Sequence, residues 1–370
     1  MQSTNSFGRT LLLSTLAFVA SFCSVQGQEP AKTLRDASKG FFEVGVALPD
    51  RVVRDERLNK IAALQFNRVV CENEMKFESL EPQENRFTFE RGDRLVEFAQ
   101  KNGMSVHGHT LVWHAQTPRW VFQDANGGQA SKELVMKRLK NHIDTVMKHY
   151  KGKIKTWDVV NEAFTDQGNL RTSSPWYRAL GNDLIKIAFT LAREADPDAI
   201  LIYNDYSMPN DPKRQGIIKA IKEINKEKKI IDGIGYQGHW DLNWPSLAQI
   251  QKAIDEAREA GLKLYISELD INTDRSKRNS GRGLEANPEI DPSTLQPITD
   301  MNVVLRDRYR EIFEIFLKNA DVIEAVTVWG LDDAHSWIRG EPLLYDRNQN
   351  PKPALQAIID LMNKTPKTQK

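Results

Sequence analysis

Cysteine is scarce in this chain of 370 residues, which contains only Cys23 and Cys71. Cys23 lies in an N-terminal segment that has the pattern of a leader, so its removal would leave Cys71 without a partner for an intrachain disulfide. We therefore expect a fold that is stabilised by its hydrophobic core. Cys71 precedes Glu72 and Glu74, whose charges disfavour a thiolate, and is expected to be a small buried apolar residue.

The chain also lacks an excess of charge of either sign. Its 51 Lys and Arg residues stand against 50 Asp and Glu residues, which leaves a formal net charge of +1. A basic surface for nucleic acid or anionic lipid is therefore not expected. Walker and G-x-G-x-x-G sequences are absent, which argues against the usual phosphate-binding loops. Hydrophobic residues make up 40% of the chain, enough to build a core.

Long hydrophobic runs are missing as well, because no stretch reaches the roughly 20 apolar residues of a membrane helix. An apolar stretch from Leu11 to Ser24 follows Arg9, and Val25-Gln26-Gly27 after it offers small residues for cleavage. A positive start, an apolar centre and a small-residue cleavage site are typical of a signal peptide. We expect residues 1–27 to direct export and be removed. Residues 28–370 are then expected to form one secreted or periplasmic, monomeric domain with no membrane attachment.

Eight short runs rich in β-branched or aromatic residues alternate with longer helical stretches, such as 132–150 and 245–260. A strand followed by a helix, repeated eight times, is typical of a parallel sheet. The number of units favours an α/β fold of the (β/α)₈ TIM-barrel type. The predicted strands are 41–48, 67–75, 105–113, 156–163, 200–206, 232–239, 262–271 and 325–331.

Polar side chains follow most of these strands, and in a barrel the carboxyl ends of the strands meet at one mouth. Glu162 and Glu268 end the fourth and seventh strands and would face each other across it. One such glutamate could equally be a salt-bridge partner, but several strand ends agree. Two carboxyl groups are the minimum apparatus for hydrolysing a glycosidic bond. Flat apolar surfaces for sugar rings would come from tryptophans at the rim: Trp113, Trp120, Trp240, Trp244, Trp329 and Trp337.

Two histidines raise a different possibility. His107 and His109 are two residues apart on a predicted strand, so both face one side and could begin a metal site. A catalytic zinc needs three protein ligands, and other strands offer only His239 and Asp270. We therefore expect no metal or other cofactor. Two further histidines, His142 and His149, are expected on the surface of a helix.

The ordered set of motifs resembles the family 10 glycoside hydrolases, the family of endo-β-1,4-xylanases, over about residues 40–363. The motifs are ENEMK at 72–76, HGHTLVWH at 107–114, WDVVNEA at 157–163 and ISELD at 266–270. The resemblance implies that Glu162 is the acid/base and Glu268 the nucleophile, with xylan or xylo-oligosaccharides as substrate. It implies sugar contacts from Glu72, Asn73, Lys76, His109, Trp113, Asn161, Gln237, His239, Trp329 and Trp337, with Asp270 orienting His239.

The resemblance also implies a retaining mechanism, in which the two carboxyl groups lie about 5–5.5 Å apart. We expect His239 to hydrogen-bond Glu268 and keep it ionised. Crowding around the reacting sugar by Glu72, Asn73, Lys76 and Trp329 would favour xylose, which lacks the C6 hydroxymethyl group of glucose.

Two features depart from the family pattern. Phe77 stands where the family usually has Trp, which is expected to change packing beneath the sugar site. Residues 272–300 form a polar stretch longer than expected for a compact member, which leaves chain-length preference open. The alternatives are another retaining barrel enzyme, acting on glucan or mannan, and a catalytically silent polysaccharide-binding protein. The latter would not need both glutamates.

Overall fold

The computed structural model describes residues 1, 31–274 and 300–367. The chain divides into two units, Met1–Pro30 and Ala31–Lys370, and every helix and strand described below belongs to the second. The predicted signal peptide after Met1, and residues 275–299 of the predicted long loop, lie outside the described residues. No helix in the described part of the chain is both long and apolar enough to cross a bilayer.

The described strands form one parallel sheet in the order β6-β5-β4-β3-β2-β1-β9-β8-β7. Pairing of β6 with β8 closes the sheet into a barrel. The two short strands β6 and β7 both pair with β8, so together they make the sixth strand of the barrel. This confirms the predicted (β/α)₈ fold. The strands are β1 (Glu43–Leu48), β2 (Arg68–Cys71), β3 (Ser105–Trp113), β4 (Thr156–Asn161), β5 (Ile200–Asp205), β6 (Gly233–Tyr236), β7 (His239–Asp241), β8 (Lys263–Asn272) and β9 (Ile323–Val328).

Helices connect successive strands and bury one face each. In the helix Lys132–Tyr150 the residues Val135, Leu139, Ile143 and Val146 are buried, which is the spacing of a single helix face. The helix Leu247–Glu259 begins with a capping box between Ser246 and Gln249. The helices are α1 (Leu34–Ala37), α2 (Asp50–Arg54), α3 (Glu56–Gln65), α4 (Phe77–Leu80), α5 (Glu90–Lys101), α6 (Lys132–Tyr150), α7 (Pro175–Leu180), α8 (Leu184–Ala195), α9 (Asp211–Ile224), α10 (Leu247–Glu259), α11 (Met301–Lys318) and α12 (Pro353–Lys364), with 3₁₀ turns at Arg119–Phe122 and Gly181–Asp183.

The second predicted strand, 67–75, is wrong at its carboxyl end, because β2 stops at Cys71. The Glu74 carboxylate accepts from the backbone N–H of Asp50 at 2.9 Å and of Asn73 at 3.1 Å. These bonds hold the segment after β2 in a turn, which Lys76 N closes by donating to Asn73 O at 3.2 Å. Cys71 itself is buried as expected, and burial raises the pKa of its thiol, with the charge of Glu74 acting in the same direction.

The predicted surface position of two histidines on α6 is also wrong. His142 is fully buried, stacks on Phe77 with ring centroids 3.5 Å apart, and has Nδ1 2.9 Å from Glu81 Oε2. His149 is partly buried and pairs with Asp93 at 2.7 Å. The two histidines lie seven and fourteen residues after Val135, on the buried side of the helix. Phe77 is itself buried and is therefore a packing residue in contact with His142.

Candidate active site

A continuous chain of hydrogen bonds joins the two predicted catalytic glutamates. Gln237 Nε2 donates to Glu162 Oε1 at 3.2 Å and to Asn161 Oδ1 at 3.1 Å. Asn204 Nδ2 donates to the same Asn161 oxygen at 3.1 Å and to Glu268 Oε1 at 2.7 Å. Glu162 and Glu268 therefore lie at one site at the carboxyl ends of the strands.

Glu268 lies within β8, is buried and has a donor at each oxygen. Its Oε2 is 3.0 Å from His239 Nε2, and His239 Nδ1 is 2.8 Å from Asp270 Oδ2. Both contacts expected of His239 are present. Burial works against a charged His239, but Asp270 and Glu268 outweigh it and raise the pKa of His239 to about 10. At neutral pH the imidazolium therefore donates to both carboxylates.

The same contacts set the charge of Glu268. Burial raises the pKa of this carboxyl, but the hydrogen bond from His239 and the electrostatic influence of His109 and His239 more than offset it. The pKa of Glu268 consequently lies below its usual value. An ionised carboxylate is the form that can act as a nucleophile.

Glu162 lies one residue beyond β4, with φ 56°, in the left-handed region that residues with a Cβ rarely adopt. Its N–H donates to Asn204 O at 3.0 Å, and Arg171 Nε donates to its carbonyl at 3.2 Å. The side chain is only partly buried and accepts the bond from the neutral amide of Gln237. Glu162 is therefore more open to solvent than Glu268.

His109 and His107 both contact one buried carboxylate. His109 Nδ1 is 2.8 Å from Asp158 Oδ2, and His107 Nε2 is 2.9 Å from Asp158 Oδ1. Arg68 Nη2 donates to His107 Nδ1 at 2.7 Å. Burial raises the pKa of Asp158, but the two histidines lower it to about 2. Across residues 31–274 and 300–367, no three His, Cys, Asp or Glu side chains are grouped so that they could hold a metal ion.

Lys76 lies on the β2 side of the site. Its Nζ donates to Asn73 Oδ1 at 3.0 Å and is 4.9 Å from the centroid of the Trp113 ring. Burial lowers the pKa of Lys76, while the charges of Glu268, Glu72 and Glu162 oppose that shift. Burial likewise raises the pKa of Glu72. The ENEMK segment therefore brings a cation and polar groups next to both catalytic candidates.

The arrangement of two carboxyl groups in a barrel mouth agrees with what the sequence matches. The sequence profile of glycosyl hydrolase family 10 covers residues 33–361. The chain belongs to glycosyl hydrolase family 10. Endo-1,4-beta-xylanase A of Xylanibacter ruminicola is 38% identical over 376 residues, spanning 98% of this chain and 100% of the relative.

Solved structures of xylanases also resemble the chain over most of its length. A family 10 endoxylanase from a sugarcane soil metagenome has a TM-score of 0.82 and 40% identity, covering 90% of this chain and 100% of its own. A mutant of the intracellular xylanase of Thermoanaerobacterium saccharolyticum, in complex with xylotriose, has a TM-score of 0.79 and 35% identity. That match covers 90% of this chain and 99% of the neighbour.

Three of the six rim tryptophans lie at the site of this family 10 hydrolase. The ring of Trp329 packs edge-on against His109 with centroids 5.5 Å apart. Trp337 is 48% exposed, and its Nε1 donates to Asp270 Oδ2 at 2.8 Å. Trp113 lies under Lys76. Trp240 was placed wrongly, because it is buried against Phe316, whereas Trp120 and Trp244 are partly buried and pack on the core.

Sequence reasoning missed two residues of the family 10 site. Asn204 at the end of β5 bridges Asn161 and Glu268, and Asp158 within β4 anchors His109. The rule applied to the other strands, polar residues at the carboxyl end, would also have marked Asn204. Asp158 belongs to the WDVVNEA motif, but it lies in the middle of a buried strand, where the strand-end rule does not mark it.

Proposed function

We propose that this family 10 glycoside hydrolase is a retaining endo-β-1,4-xylanase that cleaves internal bonds of xylan. The observation that carries the proposal is the pair of carboxyl groups at one site, with Glu268 held ionised by His239. Retaining hydrolysis requires such a pair, about 5–5.5 Å apart. The named xylanases among the relatives, and the neighbour solved with xylotriose, support xylan as the substrate.

In the first step the Glu268 carboxylate attacks the anomeric carbon, and the bond to the leaving sugar oxygen breaks. Glu162, protonated at the start, gives its proton to that oxygen, so the leaving chain departs as an alcohol. In the second step the ionised Glu162 takes a proton from water, whose oxygen attacks the same carbon. The bond to Glu268 breaks, and both carboxyl groups return to their starting forms.

We propose that the residues around the pair hold the sugar on both sides of the cleaved bond. Asn161 is suited to the 2-hydroxyl of the reacting xylose, and Gln237 and His239 are suited to hydroxyl groups next to it. Polar contacts on the β2 side would come from Glu72, Asn73, Lys76 and His109, and stacking surfaces from Trp113, Trp329 and Trp337. We propose that Glu72, Asn73, Lys76 and Trp329 crowd the space that a C6 hydroxymethyl group would need, which favours xylan over cellulose.

Product analysis tests this function directly. Wild-type protein incubated with plain xylan should release a series of xylo-oligosaccharides, while the Glu268→Gln variant, matched in size, should release none. Release of xylose alone from chain ends would contradict endo action. Equal activity on carboxymethylcellulose would reject the proposed selectivity, and a wild type that binds xylan without cleaving it would favour a polysaccharide-binding protein.

We also propose that the enzyme is exported after removal of residues 1–27 and acts as a monomer. The support is the charge and hydropathy pattern from Arg9 to Gly27. The xylanase of Thermoanaerobacterium saccharolyticum is described as intracellular, so export must be tested on this chain. Sequencing the N-terminus of protein from the culture medium or periplasm should give a start near residue 28. An uncleaved chain found only in the cytoplasm contradicts export, and light scattering checks the monomer.

A further inference from the structure

The backbone on the carboxyl side of Glu162 is held by a residue that has no place in the mechanism above. Ala163 N donates to the hydroxyl of Tyr203 on β5 at 2.9 Å. Glu162 has already left the strand and has a left-handed φ. The direction of its side chain therefore depends on the bonds made by the peptide groups on either side of it. The Tyr203 hydroxyl makes one of these bonds.

The Tyr203 hydroxyl is itself oriented by a buried ion pair. It donates to Asp205 Oδ2 at 2.6 Å, and Asp205 Oδ1 is 2.8 Å from Lys213 Nζ. Both Asp205 and Lys213 are 0% exposed. Because a carboxylate only accepts, the hydroxyl proton must point to Asp205, which leaves an oxygen lone pair for Ala163 N–H. Burial raises the pKa of Asp205 to about 6 against the opposing charge of Lys213, so the carboxylate is mostly ionised at neutral pH.

We propose that Tyr203, oriented by Asp205 and Lys213, is a positioning residue that aims the Glu162 carboxyl at the leaving oxygen. The proposal rests on the proposed acid/base role of Glu162. A buried ion pair is weak evidence for added stability, because its desolvation cost can cancel its attraction. A network that fixes one backbone bond next to Glu162 has a clear use in orienting a proton donor.

Leaving-group dependence separates positioning of the acid from a general structural role. Tyr203→Phe deletes one hydroxyl, and kcat/KM is measured at neutral pH with phenyl and with dinitrophenyl β-xylobioside. Phenolate needs a proton to leave, whereas dinitrophenolate does not. We expect kcat/KM to fall about tenfold for the phenyl substrate and less than about twofold for the dinitrophenyl substrate. Equal losses on both substrates, or no loss on either, overturn the proposal.

Tyr236→Phe is the matched control. Tyr236 is equally buried at the end of β6, and its hydroxyl donates to Ala253 O at 2.9 Å, on helix α10. In Tyr236→Phe the ratio of kcat/KM for the phenyl substrate to kcat/KM for the dinitrophenyl substrate should equal that of the wild type. The same selective loss in Tyr236→Phe would assign the effect to any lost core hydroxyl and overturn the proposal.

A second variant, Asp205→Asn, and the activity of the wild type complete the experiment. If circular dichroism shows that Tyr203→Phe does not fold, Asp205→Asn receives the same test, with the same selective loss expected and equal loss on both substrates overturning the proposal. A wild type that cleaves neither the xylobiosides nor xylan rejects the proposed function itself. A wild type that cleaves them, beside a non-selective Tyr203→Phe, rejects only the positioning role.

Discussion

The two glutamates of the site occupy unlike surroundings although hydrogen bonds connect them. Glu268 lies inside a strand, is buried, and accepts from Asn204 and from the charged His239. Glu162 lies past the end of a strand, is partly exposed, and accepts from the neutral amide of Gln237. A fixed cation suits a group that must stay ionised. A neutral donor and contact with solvent suit a group that must gain and lose a proton in each cycle.

The largest effect on the rate is expected from removal of the Glu268 carboxylate, which must stay ionised. Glu268→Ala should lower kcat on xylan by at least about 10⁴-fold, because the variant lacks the carboxylate that forms the covalent bond. His239 and Asp270 keep their own contact at 2.8 Å, so the fold should remain, as checked by circular dichroism. A near-native rate in a folded variant rejects Glu268 as nucleophile.

Removing the Glu162 carboxyl group, which gives and takes a proton in each cycle, should have a smaller effect on kcat. This effect should depend on the leaving group of the substrate. Glu162→Ala should lose about 10²–10⁴-fold in kcat on xylan, the usual contribution of general acid–base catalysis. The kcat/KM for dinitrophenyl β-xylobioside should change much less. Azide should restore turnover of dinitrophenyl β-xylobioside by attacking the anomeric carbon of the glycosyl-enzyme, releasing the Glu268 carboxylate and giving a β-glycosyl azide that mass spectrometry detects. The acid/base assignment fails if azide has no effect.

Removing the cation should make the two glutamates more alike. His239→Asn eliminates the charged donor to Glu268 while burial remains, so the pKa of Glu268 should rise. The acid limb of the kcat/KM profile should move to higher pH, and the rate at its optimum should fall about 10–100-fold, the cost of losing a hydrogen bond to a charged group. An unmoved acid limb would show that His239 does not keep Glu268 ionised.

The charge of His239 also predicts how the free energy of unfolding depends on pH. The pKa of His239 is raised to about 10 in the fold, against about 6.5 in an unfolded chain. The stabilisation from its charge is therefore complete below pH 6.5 and is lost as pH rises towards 10. Urea unfolding of wild type and His239→Asn should show a stability difference that shrinks between about pH 7 and pH 10. A difference independent of pH contradicts a charged His239.

The smallest effect is expected from loss of the hydrogen bond between Trp337 and Asp270. Trp337→Phe keeps an aromatic ring beside His239 but loses the 2.8 Å bond to Asp270. Loss of one such bond at a partly exposed residue should raise KM for xylo-oligosaccharides about two- to fivefold, with kcat little changed. A large fall in kcat would instead assign Trp337 a part in holding the His239–Asp270 pair.

The barrel and the two glutamates could be predicted because strand–helix alternation and strand-end motifs are properties of neighbouring residues. The direction of single side chains was harder to predict. Trp240 follows His239 directly, and alternation along a strand sends it to the opposite side, into contact with Phe316. Applying that rule would have corrected the placement. The burial of His142 depends on Glu81, supplied by a distant segment, and only the folded chain shows that partner.

The stereochemistry of the first product tests the central claim most directly. NMR spectra recorded in the first moments of xylo-oligosaccharide hydrolysis distinguish the anomers before they interconvert. If Glu268 forms a covalent intermediate and Glu162 then activates water from the same side, the new reducing end appears as the β-anomer. Initial release of the α-anomer would mean direct attack by water, and the assigned roles of the two glutamates would be wrong.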